Sequence, residues 1–251
     1  MDVSRTKTIA TLCEIASLVV VWFLPTLQTL AQAQTPTHRA GASRSAGGAS
    51  LLNPASLKLQ APAVFDAKFV TTKGDFVVEV TRAWSPRGAD RFYNLVKYHF
   101  FDGAAFFRVM QGFVAQFGIS ARPDVSRAWE NAEIADDPVT QNNARGSLTF
   151  ATRGPNTRTT QIFINLGDNS SSLDGQGFSP FGKIVAGMEV VDKLYADYGD
   201  APPDGHGPDQ NRIQREGKAY LDKGFPLLDT IKTTVVVPPE AVVKTQAAPA
   251  K

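Results

Sequence analysis

A mainly-β domain, closed as a barrel or folded as a sandwich, is what this sequence predicts. Two observations carry that expectation. Apolar residues recur at every second position where the folded part begins, and beyond one clear helix the chain keeps returning to short apolar runs bounded by turn residues. With 251 residues, 43% of them apolar, the chain can bury the core of one sizeable domain and falls well short of three.

The elements follow in order. Val64, Asp66, Lys68 and Val70 fall on one face of an extended segment, and Phe65, Ala67 and Phe69 on the other. Phe76, Val78 and Val80 alternate with Val77, Glu79 and Thr81, and Thr72-Lys73-Gly74-Asp75 lies between the two runs, which is the pattern of a β-hairpin. Ser85-Pro86 then reads as a hydroxyl cap followed by proline at the first helical position. Ala89, Phe92, Tyr93 and Val96 supply the one apolar face of that helix. Short β-like runs follow at 105–110, 113–117, 147–151, 161–166 and 181–185. A second short helix is expected at 188–195, with Met188, Val191, Leu194 and Tyr195 inward. A Pro/Gly/Asp-rich loop at 200–210 leads to a further helix at 211–223, with Ile213, Tyr220 and Leu221 on one side. A closing strand is expected at 227–237.

The ends read differently. Arg5 and Lys7 precede an uncharged ten-residue run at 15–24, Pro25 ends it, and Ala31-Gln32-Ala33 supplies a small-x-small cleavage pattern, so 1–33 is expected to be an export signal. The run is shorter than the ~20 apolar residues of a spanning helix. Carried uncut through Pro25 to Ala31 it would be an anchor, the one way this chain would meet a membrane. The lone Cys13 lies within the signal, ahead of the apolar run, which argues against a lipoprotein and leaves the mature chain without thiols. Residues 34–62, rich in Ala, Ser, Gly, Thr and Pro, read as a flexible linker, 63–237 as the folded domain and 238–251 as a disordered tail. A periplasmic or secreted monomer is expected. The net charge is +2, yet between Ala63 and Val237 there are 19 basic and 21 acidic residues, so the positive excess sits in the ends. A near-neutral domain without a Lys/Arg cluster argues against nucleic acid as a partner.

Several chemistries find no support. His38, His99 and His206 share no metal-ligand spacing, and there is neither a P-loop nor a Gly-rich dinucleotide motif. No serine sits in a Gly-x-Ser-x-Gly context, and the oxygens of 168–175 do not follow the EF-hand order. No metal and no cofactor is expected.

The stretch Phe106-Phe107-Arg108-Val109-Met110-Gln111-Gly112-Phe113-Val114-Ala115-Gln116-Phe117-Gly118 is unusual for placing one arginine in an apolar strand. If the strand is regular, Phe106, Arg108 and Met110 share a face. Such an arginine either serves a ligand or, more blandly, snorkels to the rim or pairs with a carboxylate.

Phe107 to Gln116 resembles the active-site strand pair of the cyclophilins. Gly146-Ser147-Leu148-Thr149-Phe150-Ala151, the turn Gly154-Pro155-Asn156-Thr157, the strand Thr160-Gln161-Ile162-Phe163-Ile164, Leu173-Asp174-Gly175 and the run from Phe181 to Met188 resemble later family blocks, in the family's order. The resemblance covers about 63–237. It implies a closed eight-stranded antiparallel β-barrel capped by two helices, and a peptidyl-prolyl cis-trans isomerase that needs no cofactor and acts on proline-containing polypeptides. It makes Arg108 the catalytic residue. It makes Phe113, Val114 and Phe163 the proline pocket, with Leu173 and Phe181 as further lining. Gln116 and Gln161 would hold the substrate backbone and orient the arginine, and Ala151 and Thr152 would line the groove for the preceding residue. The plainer alternative makes Phe113, Phe163 and Phe181 barrel core, and the two glutamines groups that satisfy backbone.

The sequence departs from the family at Ser172, where many eukaryotic members carry tryptophan, and in the stretch 176–180, which replaces a family histidine and is one residue longer. That departure weakens any expectation of cyclosporin binding and leaves the direction of Phe178 open. Residues 195–226 form an insert relative to shorter members. A non-catalytic peptide-binding module on the same scaffold is the alternative reading.

Overall fold

A computed structural model describes residues 51–237. The expected signal and tail lie outside the described residues.

The predicted hairpin forms. β1 (Val64–Thr71) and β2 (Asp75–Thr81) pair antiparallel from Val64↔Thr81 to Val70↔Asp75. Phe65, Ala67, Phe69, Phe76, Val78 and Val80 are buried, as alternation requires. The helix α1 (Pro86–Lys97) begins where Ser85-Pro86 places it, but not by the expected cap. The Ser85 hydroxyl donates to Asp137 Oδ2 (2.7 Å), and Asp137 itself accepts the N–H groups of Arg87 (3.2 Å) and Gly88 (2.9 Å). A carboxylate has lone pairs for all three donors, so a residue remote in sequence caps this helix.

β3 (Arg108–Met110) and β4 (Val114–Phe117) form the next hairpin. The helix α2 (Pro123–Trp129) was not expected, since seven residues are too few for an apolar period to show. β5 (Ser147–Phe150), β6 (Ile162–Asn165), the single turn α3 (Ser170–Leu173), β7 (Pro180–Ala186) and the single turn α4 (Met188–Val191) follow. The helix expected at 188–195 is thus shortened to its first turn. The one expected at 211–223 is broken into α5 (Gln210–Glu216) and α6 (Lys218–Gly224). The break is at Gly217, whose φ of +61° suits glycine and whose missing Cβ makes room for Ala121 and Pro123. β8 (Ile231–Val237) ends the described chain.

The strands form one sheet in the order β3-β4-β6-β5-β7-β2-β1-β8, with antiparallel neighbours throughout. It is an open, strongly curled half-barrel and not the closed barrel expected. The edges β3 and β8 share no ladder. They approach through the bridge Ala105↔Thr230 and through the bonds Phe106 N–H to Asp229 O (3.0 Å) and Ile231 N–H to Ala104 O (2.8 Å). Phe106 and Val109, three positions apart, both enter the core while Phe107 joins a second apolar cluster, so Phe106 does not share the face of Arg108 and Met110 as a regular strand would have it, and the edge strand is three residues long.

Inside the curl, phenylalanines interlock. Phe69 and Phe76 stack at 4.7 Å, Phe106 lies 5.3 Å from Phe117, and Phe92 brings α1 to within 5.0 Å of Phe181. The packed unit also begins earlier than Ala63. Leu51, Leu57 and Ala61 are buried, Trp129 Nε1 donates to Leu51 O (2.8 Å), and Asn94 holds both the N–H (3.0 Å) and the carbonyl (2.7 Å) of Leu59. The expected linker is therefore structured from residue 51 on. Its average composition concealed two leucines with specific places to go.

Candidate active site

Strand pairing brings the central side chains together. Arg108 of β3 lies opposite Gln116 of β4, and Gln116 opposite Phe163 of β6. Val114 shares the face of Gln116 by the two-residue period. The opposite faces carry Val109, Ala115, Phe117, Ile162 and Ile164 into the core. One side of the three strands thus builds the core and the other the site.

Val114, Phe163 and Leu173 are buried together, with Phe113, Ala151 and Phe178 packed on them half-exposed. Phe178 meets Phe163 edge-on, with ring centroids 5.7 Å apart. The result is an apolar cluster whose outer members, Phe113, Ala151 and Phe178, are partly open to solvent. Phe181 is not in it, contrary to expectation. It is wholly buried in the core between Phe92 (5.0 Å) and Phe150 (5.1 Å). The long turn after Leu173, with Gly177 at φ +85°, delivers Phe178 to the pocket, and β7 then carries Phe181 inward.

Arg108 borders the pocket. Its Cζ lies 5.7 Å from the Phe113 ring centroid, and its side chain is 20% exposed. Nη1 donates to Gln116 Oε1 (3.4 Å), and Gln116 Nε2 donates to Gln161 Oε1 (2.8 Å), a relay running from the guanidinium to the next strand. Nε donates to Asp200 Oδ2 (2.7 Å). The carboxylate pairing that the bland reading of Arg108 anticipated is present, and so is the apolar pocket beside it. Gln116, Gln161, Ala151 and Thr152 continue into a groove of about 470 Å³, where the Thr152 hydroxyl also bonds Gly154 and Thr157 in the adjoining turn. Ala201, Asp209 and Gln210 of the 195–226 insert form part of its lining. Of the expected site residues, Gln116, Gln161, Ala151 and Thr152 line this groove, Phe113, Val114, Phe163 and Leu173 form the apolar cluster that Ala151 joins to it, Arg108 borders that cluster, and Phe181 lies apart in the core.

Residues 67–214 match the family described as cyclophilin type peptidyl-prolyl cis-trans isomerase/CLD. The chain belongs to the cyclophilin family of peptidyl-prolyl cis-trans isomerases. A peptidyl-prolyl cis-trans isomerase of Acinetobacter baylyi is 33% identical over 131 residues, covering 49% of this chain and 68% of the relative. Peptidyl-prolyl cis-trans isomerase B of Escherichia coli is 32% identical over 134 residues, covering 50% and 81%. The crystal structure of a cyclophilin type isomerase from Cryptosporidium parvum superposes with a TM-score of 0.52 at 20% identity, covering 70% of this chain and 98% of that one.

This cyclophilin supports its pocket with a buried amide network that sequence reading missed. Asn143 donates to Asp174 Oδ1 (2.8 Å) and to the carbonyl of Phe178 (2.8 Å), and accepts from Thr149 (2.8 Å). Asn169 donates to the carbonyl of Phe113 (2.9 Å) and to Asn165 Oδ1 (2.7 Å). Two pocket phenylalanines are thereby held by their backbones. Scattered asparagines read as turn formers in a sequence, and nothing in their spacing announces a network. Asp200 was missed for the same reason, as one more acid in a Pro/Gly loop.

Proposed function

We propose that this cyclophilin accelerates rotation about X-Pro bonds in exported polypeptides, with Arg108 as the group that favours the twisted amide. The observation that carries the reading is a partly exposed guanidinium at the edge of a partly open apolar cluster, braced by Gln116. In support, one crystal structure similar in fold, that of the Cryptosporidium parvum isomerase, was obtained in the presence of the dipeptide Ala-Pro.

The chemistry follows from the amide. Resonance sets a barrier of about 18–20 kcal/mol to rotation. As the bond twists, the proline nitrogen recovers the lone pair that resonance had drawn away. A guanidinium donor aimed at that nitrogen binds the twisted amide better than either planar isomer, and only such differential binding raises the rate. No bond to carbon is broken, so no nucleophile takes part. Val114, Phe163, Leu173, Phe113 and Phe178 hold the proline ring, while Gln161, Ala151 and Thr152 face the chain before it. Phe178 takes the place first given to Phe181.

The test is a proline-isomerisation assay on an Ala-Pro peptide with the chain from Gln34 onward. Arg108→Ala is expected to fold and to lose about 100- to 1,000-fold in kcat/KM, the usual cost of removing one preorganised donor. Full activity in that variant would overturn the assignment of Arg108. The export part of the reading rests on the charged start, apolar run and Ala31-Gln32-Ala33 of the sequence. Expressed with its full N-terminus in a Gram-negative host, the protein should appear in the periplasm beginning at Gln34. An intact Met1 in the cytoplasm would refute export.

A further inference from the structure

The insert reaches the active site through one side chain. Asp200 Oδ2 accepts the Nε–H of Arg108 at 2.7 Å, and the two side chains are 24% and 20% exposed. They come from segments 92 residues apart. The pair is therefore a product of the tertiary fold and not of local chain statistics.

Asp200 is itself tightly built in. Its other carboxylate oxygen accepts the N–H of Ala201 (2.7 Å), and its backbone carbonyl accepts the N–H of Gly207 (2.7 Å). Gly205 lies so close to the Asp200 backbone that a Cβ there would overlap it. The loop is tied back by His206 N–H to Tyr198 O (2.9 Å). Tyr198 packs edge-on against Tyr195 (4.9 Å) and Phe225 (5.2 Å). The same apolar cluster holds Phe107, the residue before Arg108. One small core thus anchors both the strand that carries the arginine and the loop that carries the carboxylate.

An arginine side chain has several rotatable bonds, and a guanidinium left loose would spread over many directions. A charge-assisted bond at Nε fixes the plane of the group, and the Gln116 bond at Nη1 fixes its rotation within that plane. The two bonds use one N–H each of the guanidinium's five and leave three for an amide. We infer that Asp200 is a positioning residue for Arg108: it preorganises the guanidinium for the twisted X-Pro bond without touching substrate. The inference rests on the reading of Arg108 as the donor in the reaction.

Positioning raises the rate on the enzyme and not the affinity for the ground state. Exchange NMR on an Ala-Pro peptide separates the two, giving the bound isomerisation rate and Kd for wild type, Asp200→Asn and Asp200→Ala. Both variants are expected to slow bound isomerisation by about tenfold with Kd unchanged, as a modest misplacement of a catalytic group does. The Arg108 Nε–H resonance, slow to exchange with solvent in the wild type, is expected to exchange fast in both. An unchanged rate would overturn the inference. So would a faster one, which would make Asp200 a mask over the arginine. An equal loss of rate and affinity would make the loop merely structural and overturn it too. If wild type itself proved inactive, the function reading would fall separately, and an Nε–H exchange rate unaltered by Asp200→Asn would still refute the pairing.

Discussion

Phe178 and Phe181 lie three positions apart and do different work. Phe181 is wholly buried between Phe92 and Phe150, so Phe181→Ala is expected to cost about 3–5 kcal/mol of stability, read by denaturant unfolding. Phe178 is half-exposed at the pocket against Phe163. Phe178→Ala is expected to leave unfolding nearly unchanged and to raise the Kd for an Ala-Pro peptide about tenfold, in line with the ~1–3 kcal/mol that a well-packed apolar contact contributes. Equal loss of stability in the two variants would refute the distinction. The sequence reading placed Phe181 in the pocket and left the direction of Phe178 open. The choice depends on how the backbone turns at Gly177 before β7 begins at Pro180.

At the scale of an element, α1 is held by a cap that its own sequence does not contain. Burial opposes the charge of Asp137, but hydrogen bonds from Ser85, Gly88, Arg87 and Arg158 outweigh it and hold the carboxyl below its ordinary value. Its pairing with Arg158 is buried on both sides (3.1 Å). A depressed folded value means that the unfolded chain takes up the proton first. The stabilisation from Asp137 is therefore present above the ordinary value of about 4 and is lost as the pH falls through it toward the folded value. Asp137→Asn is expected to cost about 1–3 kcal/mol at neutral pH, since it removes the buried partner of Arg158 and leaves only the more exposed Asp136 (3.2 Å) to pair with it. It is also expected to flatten the loss of stability below pH ~4. Unfolding curves of the two proteins at pH 7 and pH 3 check both. The start of α1 was legible in Ser85-Pro86, but the identity of the capping group was not, because it comes from 52 residues away.

For the whole molecule, the packed unit starts before the first strand and is not confined to the sheet. Leu51, Leu57 and Ala61 are buried, and hydrogen bonds join the segment to α1 and α2, from Leu51 to Trp129, Leu59 to Asn94 and Ala61 to Asp90. A chain begun at Ala63 is expected to be less stable than one begun at Gln34 by about 3–6 kcal/mol, the burial of two leucines. Matched urea midpoints would refute this. The insert completes the second apolar cluster, its Ile213 and Leu221 joining Leu228 against Ala105, Phe107 and Ile119. The edge of the half-barrel that carries Arg108 is thereby covered by chain more than 90 residues away.

Local patterning alone determined much of this protein. The β1–β2 hairpin, the start and inner face of α1, and the short runs that became β4 to β7 are written in periods of two and 3.6, which depend only on neighbouring residues. The blocks around Arg108, Phe163 and Leu173 identified the family and most of the pocket. Only the tertiary structure decided that the sheet stays open at β3, that Phe178 lines the pocket while Phe181 fills the core, that residues 51–62 pack, and that Asp200 meets Arg108. Each of these depends on where the chain returns after a long excursion. A side chain's partner across such a distance is set by the closing of the whole sheet, and no periodicity records it.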